Sequence, residues 1–433
     1  MSYWKTVMIV WSWAREHVLA EAYSKSRFVG KVVVAPGNDF MLISDRVLIE
    51  VGARINDVNS ILDVAKKYDP YLIDVAQDNA LANWMVDILR KNWYNVFWPT
   101  KEASRIEWDK DWSRKFMDKY GLPTPKFQYF SKNGINNAKR YAMSLFEICD
   151  TVFLKGNELH AWKWVVGIDK DNFEKSFAYF ISILNEWEWF LVEQGLVWEE
   201  FSFYSMIDGD NYFNFPSAQD NKRVFDNDKW PNTWWMWAHS PASITNWHEE
   251  EINDIIKKVI EGMKQEWHPY TGILYLWWII WDDNKVNIIE FNARWWDPEA
   301  QVVIPSLEND YFGLIKDYYL KKQLNLFKPS FSNSKRMCVV WTVDPYPRDI
   351  ENQKWKIVSW LDDIDENIKL YGSWLIKVWD DFVVNWWRLF SWVSSWEDFL
   401  EIRNRILNQL EKLSILWWKL HYRTDVAQRE IKK

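Results

Sequence analysis

Glycine is scarce in this chain. Its 433 residues hold 13 glycines, where average usage of about 7% would give about 30. Cysteine is nearly absent. Cys149 and Cys338 are the two in the sequence, which excludes a disulfide framework and a thiolate metal cage. The six histidines, at 17, 160, 239, 248, 268 and 421, never fall in an H-x-x-x-H or similar ligand spacing. Excess positive charge is missing too. A net charge of −8 argues against a broad nucleic-acid surface while leaving room for a local phosphate pocket. No apolar run is long. "ILYLWWIIW", Ile273 to Trp281, is the longest, well short of the ~20 residues of a membrane helix, and it reads as a buried strand. The first residues, "MSYWKTVMIV", lack a basic stretch followed by an apolar core, so no secretion leader is expected. The expectation is a cytoplasmic protein with no membrane and no nucleic-acid partner.

What the chain has in excess is tryptophan, 35 residues of it. Otherwise 48% hydrophobic and 26% charged residues describe an ordinary globular protein. Its length implies several domains, because single cores rarely grow past ~250–300 residues.

The first hundred residues alternate strand and helix. "TVMIV", "KVVVAPGN", "YLIDVA" and "NVFWPT" read as strands; "AREHVLAEAYSKS", "INDVNSILDVAKKY" and "LANWMVDILRKN" read as helices. That order predicts a doubly wound parallel sheet over residues 1–100. A helix over about Lys101 to Tyr120 should follow. "GLPTPKF" then opens a second unit, residues 101–327, within which 126–191 read as a lid of strands and helices. A β-rich stretch from Leu191 to Ile304 carries most polar clusters. "NLFKPSFSNSK" is a linker to a β-rich final unit, 328–433, with a long helix near its end. The fold class expected is α/β and α+β, in several domains.

Four clusters carry chemistry. In "VFLKGNELHAWKWVV", Lys155 and Lys163 flank a short loop and can hold a polyphosphate from both ends; two solvated lysines on a hairpin is the plainer reading. In "IIEFNARWWDPEAQ", Glu290 and Asn292 are two apart on a strand and share a face. A carboxylate beside an amide oxygen suits Mg²⁺, which takes few protein ligands and completes its shell with phosphate and water. Arg294 continues that face, and Asp297 and Glu299 lie just beyond it, around a proline. The third cluster, "AQDNKRVFDNDKWPNTWWMWAHSP", gathers Asp220, Lys222, Arg223, Asn232 and Thr233. Cations beside amide and hydroxyl groups suit a phosphorylated sugar. In the fourth, "FLVEQGLVWEEFSF", Glu193 and Glu199–Glu200 can border a purine and a ribose.

Together and in this order, these pieces resemble the glycinamide ribonucleotide synthetase (phosphoribosylamine–glycine ligase) family of ATP-grasp enzymes. "WSWAREH" and "VAPGN" stand for its G-x-G-G-R-E-H and A-P-G-N. "FWPTKEASRIEWDK" stands for F-G-P-T-x-x-A-x-x-E-G-S-K, and "LKGNELHAWKWVV" for K-x-D-G-L-A-x-G-K-G-V. "SAQDNKRVFDNDKWPNTWWMWAHSP" stands for S-Q-D-H-K-R…P-N-T-G-G-M-G-x-Y-S-P, and "EFNARWWDPEAQ" for E-F-N-x-R-F-G-D-P-E-x-Q. "VVNWWRLFSWVSS" and "HYRTDV" match T-N-G-G-R-V-L and the closing H-Y-R-x-D-I. The resemblance runs nearly end to end. It implies a central ATP-grasp fold and a monomer that joins glycine to 5-phosphoribosylamine through glycyl phosphate, with ATP and Mg²⁺ or Mn²⁺. It also implies roles. Lys110, Lys155 and Lys163 would contact ATP phosphates, Glu193 and Glu200 the adenosine, and Glu290 and Asn292 the metal. Asp220, Lys222, Asn232, Thr233, Arg294 and Asp297 would line the substrate sites, with Arg294 and Asp297 catalytic.

The chain departs from the family pattern at "AQD" (Ala76 to Asp78), at "NELH" (Asn157 to His160) and at His239. One departure is systematic. Trp11, Trp98, Trp108, Trp162, Trp164, Trp230, Trp234, Trp235, Trp237, Trp296, Trp386 and Trp387 stand where the family has glycine. An indole there fills the space where amides approach phosphate. Random change would not choose one replacement repeatedly and spare the neighbouring lysines and carboxylates. The pattern is that of UGA codons meaning glycine in one cell and tryptophan in another. Two rival readings follow from taking the tryptophans literally or the motifs loosely: a catalytically dead ATP-grasp scaffold, and a different ATP-grasp carboxylate–amine ligase.

Overall fold

The computed structural model describes residues 4–156, 165–184, 189–196, 199–280, 284–344, 346, 351, 354–358, 361–416 and 420–432. Side chains at 230–232, 234, 235, 362, 414–416 and 420 fall outside that description, as do Lys163 and the loop around it.

The amino-terminal unit is a five-stranded sheet ordered β3-β2-β1-β4-β5, all parallel. Its strands are β1 (Lys5–Trp11), β2 (Val29–Pro36), β3 (Val47–Ile49), β4 (Leu72–Asp74) and β5 (Val96–Phe97). The β-branched centre of β1 and β2 is buried on both faces, as a parallel sheet covered by helices requires. Helices α1 (Ala14–Ser24), α2 (Val58–Tyr68), α3 (Asp78–Ala82) and α4 (Met85–Lys91) supply that cover. Strand order reverses on either side of β1, so its carboxyl end is the topological switch point where such sheets bind ligands. Trp11 and Trp13 sit there.

Two helices differ from their sequence reading. The span expected as one helix from Lys101 is split into α5 (Lys101–Trp108) and α6 (Lys110–Lys119), because the Asp109 side chain accepts the Trp112 amide at 3.0 Å and caps a new start. The helix expected over "LANWMVDILRKN" breaks at Trp84, whose φ is 64°.

The span expected as a lid is an antiparallel sheet, β6-β9-β7-β8, of β6 (Phe127–Ser131), β7 (Thr151–Gly156), β8 (Val165–Asp169) and β9 (Trp189–Gln194). Helices α7 (Ile135–Leu145) and α8 (Phe173–Ile183) cover one face, and Phe177, Phe180, Phe190 and Val192 form its separate core. The central sheet runs β11-β10-β14-β15, from β10 (Glu200–Asp208), β11 (Tyr212–Asn214), β14 (Thr271–Ile280) and β15 (Val286–Asn292). The apolar run read as a buried strand is β14, buried from Gly272 to Ile280. Between β11 and β14 come β12 (Gln219–Phe225), β13 (Lys229–Ser240) and α9 (Glu249–Gln265). Helix α9 lies within the stretch read as β-rich. Its Ile252, Ile255, Ile256, Val259, Ile260 and Met263 fall on one buried stripe.

After the short helices α10 (Ala300–Val303) and α11 (Tyr311–Leu314), the chain adds β16 (Lys335–Val343), β18 (Ile368–Gly372) and β21 (Arg388–Trp396) to the β12–β13 hairpin, giving a sheet ordered β12-β13-β16-β21-β18. Strands β17 (Ile357–Val358), β19 (Leu375–Val378) and β20 (Asp381–Val384) form a small second sheet. Helix α12 (Phe399–Leu416) packs on the larger one, and β22 (Leu420–His421) returns the tail to β16.

Candidate active site

The site is built where α6, the lid and β15 meet. In the lid sheet Phe153 faces Glu193, so Lys155 is the diagonal neighbour of Glu193 on the same face. Lys155 Nζ lies 2.5 Å from Glu193 Oε1. The other carboxylate oxygen takes the Arg114 guanidinium of α6. Arg114 also donates to the Ile289 carbonyl at 2.8 Å. One arginine thereby ties lid to central sheet, and one buried carboxylate is shared between two cations. Lys110 stands one helical turn before Arg114. Burial lowers its pKa, and the charges of Glu290 and Glu193 act in the opposite sense.

Along β15, Glu290 and Asn292 are side by side as their spacing predicts, with Asn292 Nδ2 3.5 Å from Glu290 Oε1. No group of three or more His, Cys, Asp or Glu residues is placed to hold a metal among the described residues. A two-ligand, hard-oxygen pair fits a cation that takes its remaining ligands from phosphate and water. Just beyond, Arg294 donates to Glu107 Oε1 at 3.0 Å and to Asp78 Oδ2 at 3.2 Å. Glu107 also accepts the Ala293 amide at 2.8 Å. Burial pushes Glu107 up from 4.5 to about 7, against the pull of Arg294.

A third cluster lies where β10, β12 and β14 pack. Lys222 Nζ is 2.8 Å from Asp220 Oδ1 and 3.5 Å from Glu200 Oε2, and it rests 3.8 Å from the centre of the Trp277 ring. Trp277 Nε1 donates to the same Glu200 oxygen at 3.0 Å. Burial raises the Asp220 pKa despite Lys222. Burial opposes the Lys222 charge, yet Asp220 and Glu200 outweigh it and hold the ammonium. Glu299, fully buried, accepts from Ser202 Oγ at 2.7 Å, and burial next to Asp220 drives its pKa well up. Thr233 Oγ1 is 3.5 Å from the Lys222 carbonyl, and Asp297 accepts from Gln301 Nε2 at 2.9 Å. Lys163 lies outside the described residues, and so does the side chain of Asn232.

Comparison with known proteins fixes the family. Residues 5–107 match the phosphoribosylglycinamide synthetase N domain, and residues 108–300 match its ATP-grasp (A) domain. The chain is 31% identical over 436 residues to a phosphoribosylamine–glycine ligase of Streptococcus pneumoniae serotype 4, covering 98% of this chain and 100% of that protein. The Streptococcus suis protein of the same name is 30% identical over 437 residues, at the same coverage. The chain belongs to the phosphoribosylamine–glycine ligase family. The fold agrees. The crystal structure of phosphoribosylamine–glycine ligase from Thermotoga maritima superposes with a TM-score of 0.76 at 23% identity, covering 97% of this chain and 99% of that one. Biotin carboxylase from Campylobacter jejuni gives 0.70 at 14% identity, covering 96% and 92%.

In this ligase-family chain the motif "REH" braces the turn after β1. Arg15 Nη1 donates to the Trp295 carbonyl at 3.0 Å, Glu16 accepts the Trp13 amide at 2.9 Å, and His17 Nδ1 accepts the Gly372 amide at 3.1 Å. The "HYRTD" tail braces another turn. Arg423 is 1% exposed and donates to Asn221 Oδ1 at 2.6 Å, to the Arg223 carbonyl at 3.0 Å, to Asp228 Oδ1 at 2.9 Å and to Asp425. It thus holds the β12–β13 hairpin that carries Asp220 and Lys222. The sequence reading named Glu299 beside Asp297 and gave no role to Arg114, Glu107 or Asp78. Arg114 had a local signal in its place four residues after Lys110 on one helix.

Proposed function

We propose that this chain joins glycine to 5-phosphoribosylamine at the expense of ATP, giving glycinamide ribonucleotide, ADP and phosphate. The carrying observation is the Lys155–Glu193–Arg114 group, which Arg114 ties through the Ile289 carbonyl to β15 and so to the Glu290–Asn292 pair. A glycine carboxylate oxygen attacks the γ-phosphorus and ADP leaves, forming glycyl phosphate. The amine nitrogen of 5-phosphoribosylamine then attacks the activated carbonyl, loses a proton and expels phosphate. Such transfer depends on positioning and charge neutralisation. Lys110, Lys155 and Lys163 are assigned to the ATP phosphates, and Glu193 and Glu200 to the adenosine. Asp220, Lys222, Asn232, Thr233, Arg294 and Asp297 are assigned to the two substrates, with Arg294 and Asp297 against the reacting groups. Glu290 and Asn292 would hold Mg²⁺ or Mn²⁺, which supplies charge neutralisation between phosphates. A monomer in the cytoplasm is the expected setting, and among the described residues no helix is long and apolar enough to cross a membrane.

The test is ADP release from ATP with 5-phosphoribosylamine and glycine together, against each alone and against other amine acceptors. Turnover that requires both substrates is the expected result. Equal turnover with another acceptor would assign the chain to a different ligation. ATP binding without turnover on any acceptor would mark a scaffold.

A further inference from the structure

Backbone dihedrals separate the tryptophans into two sets. Among the described residues, fourteen that are not glycine have positive φ between 42° and 155°, and eight of them are tryptophan: Trp11, Trp84, Trp93, Trp98, Trp267, Trp355, Trp374 and Trp379. Four of the other six are Asp or Asn, the side chains that tolerate this region through local hydrogen bonds. Tryptophan has no such device.

Three helix ends give an internal control. After α6 the Gly121 amide donates to the Asp118 carbonyl at 3.2 Å and the Leu122 amide to the Met117 carbonyl at 2.8 Å, with Gly121 at φ 58°. This pair of hydrogen bonds is the Schellman motif, whose left-handed residue is usually glycine. After α4 the same pair runs from Trp93 to Arg90 at 2.9 Å and from Tyr94 to Leu89 at 3.2 Å, with Trp93 at φ 67°. After α9 it runs from Trp267 to Lys264 at 3.0 Å and from His268 to Met263 at 2.9 Å, with Trp267 at φ 64°. Trp93 is 94% exposed and Trp267 88% exposed, so neither indole gains burial in return. Lys322 shows that the motif admits another side chain. The β19–β20 hairpin adds a separate case. Its two-residue loop puts Trp379 first, at φ 57° and 93% exposed. A positive φ at that position alone is the II′ turn, which takes glycine there.

We infer that the working polypeptide carries glycine at these eight positions, six of which no motif match singled out, through UGA codons decoded as glycine. The inference rests on backbone geometry and stands whatever reaction the site performs. Tryptophans such as Trp112, Trp278, Trp341 and Trp392 have ordinary φ and aromatic partners, and geometry makes no demand for glycine at them.

Peptide mass mapping of the protein purified from its own cells, set beside the codons of its gene, is the test. Glycine at all eight positions with UGA in the gene is expected, each peptide being lighter by one methylindole side chain per site. Tryptophan at any of the eight, or UGG codons behind them, overturns the inference.

Discussion

The strand-borne and turn-borne parts of the site are built on opposite principles. On β7, β9 and β15 the working groups are side chains, and Lys155, Glu193, Glu290 and Asn292 meet as their alternation requires. At the turns after β1 and β5 the proposed contribution is the backbone's, which a large side chain would crowd. Trp11 ends β1 at φ 129°, and Trp98 follows β5 at φ 155° with its indole against Asp74. The first part tolerates any neighbour that keeps the register. The second fails with a single large residue, so a change of glycine to tryptophan strikes the turns and leaves the strands legible.

The comparison is sharpened most by removing a strand-borne charge. In protein carrying glycine at the eight turns, Lys155→Met should lower kcat/KM about 10²–10³-fold, the usual loss for one electrostatic contact to a developing charge. Steady-state kinetics reads it. An unchanged kcat/KM would mean that Lys155 serves Glu193 alone.

A turn can also be held by side chains, and the β12–β13 turn is the example. Asn227 and Asp228 lie at φ 59° and 55°; from the tail Asp425 accepts the Asn227 amide, Arg423 donates to Asp228 and the Thr424 amide donates to Asp226. Arg423→Ala would remove a buried guanidinium and its charged hydrogen bonds to half-buried Asp228 and Asp425, at a cost of about 1.5–3 kcal/mol. Urea unfolding should show it, with a parallel rise in KM as the hairpin bearing Lys222 loosens. A stability loss with KM unchanged would separate the staple from the site.

The same division explains what was readable in the sequence. The βαβ alternation of the first hundred residues and the Glu290–Asn292 face follow from period-two and period-3.6 patterns, which local sequence records. The pairing of Glu107 and Asp78 with Arg294 was invisible. It spans 187 and 216 residues of chain, and although one residue stands in a matched motif and the other in a departing one, neither stretch names its partner. Helix α9 was readable from its spacing of isoleucines and was absorbed into a stretch dominated by strands. The breaks at Asp109 and Trp84 depend on a cap and on a positive φ, which composition alone does not announce.

Those long-range partners make a pH prediction. Burial raises Glu107 from 4.5 to about 7, so between those values the folded chain holds a proton that the unfolded chain has released. Its contribution to stability is full below pH 4.5 and is lost as pH rises through 7. Glu16, also raised to about 7, and Asp74, raised to about 6, act in the same sense. His17 is lowered to about 3 and acts oppositely, adding stability as pH rises toward 6.5. Glu107→Gln should flatten the fall in stability between pH 5 and 7 by one carboxyl's share, read from urea midpoints across that range. A slope identical to the parent would place Glu107 outside the titration.

The smallest effect tests the turns themselves, one residue at a time. A non-glycine residue in the left-handed region costs about 1–2 kcal/mol. Gly121→Ala meets no atom within 4 Å, so strain in the backbone is all it can report. It should destabilise by about 1 kcal/mol. Trp267→Gly, at a turn with the same two hydrogen bonds, should stabilise by about the same amount. Both are read as shifts of the urea midpoint in one background. Opposite signs are required. Both signs reversed, with Gly121→Ala stabilising and Trp267→Gly destabilising, would mean that the unfolded chain, rather than the turn, sets the response to glycine. Six of the eight tryptophans lie at φ 51–68°, and at about 1–2 kcal/mol each they reach the range of the ~5–15 kcal/mol that holds a whole domain folded, so small single effects of this sign become decisive together.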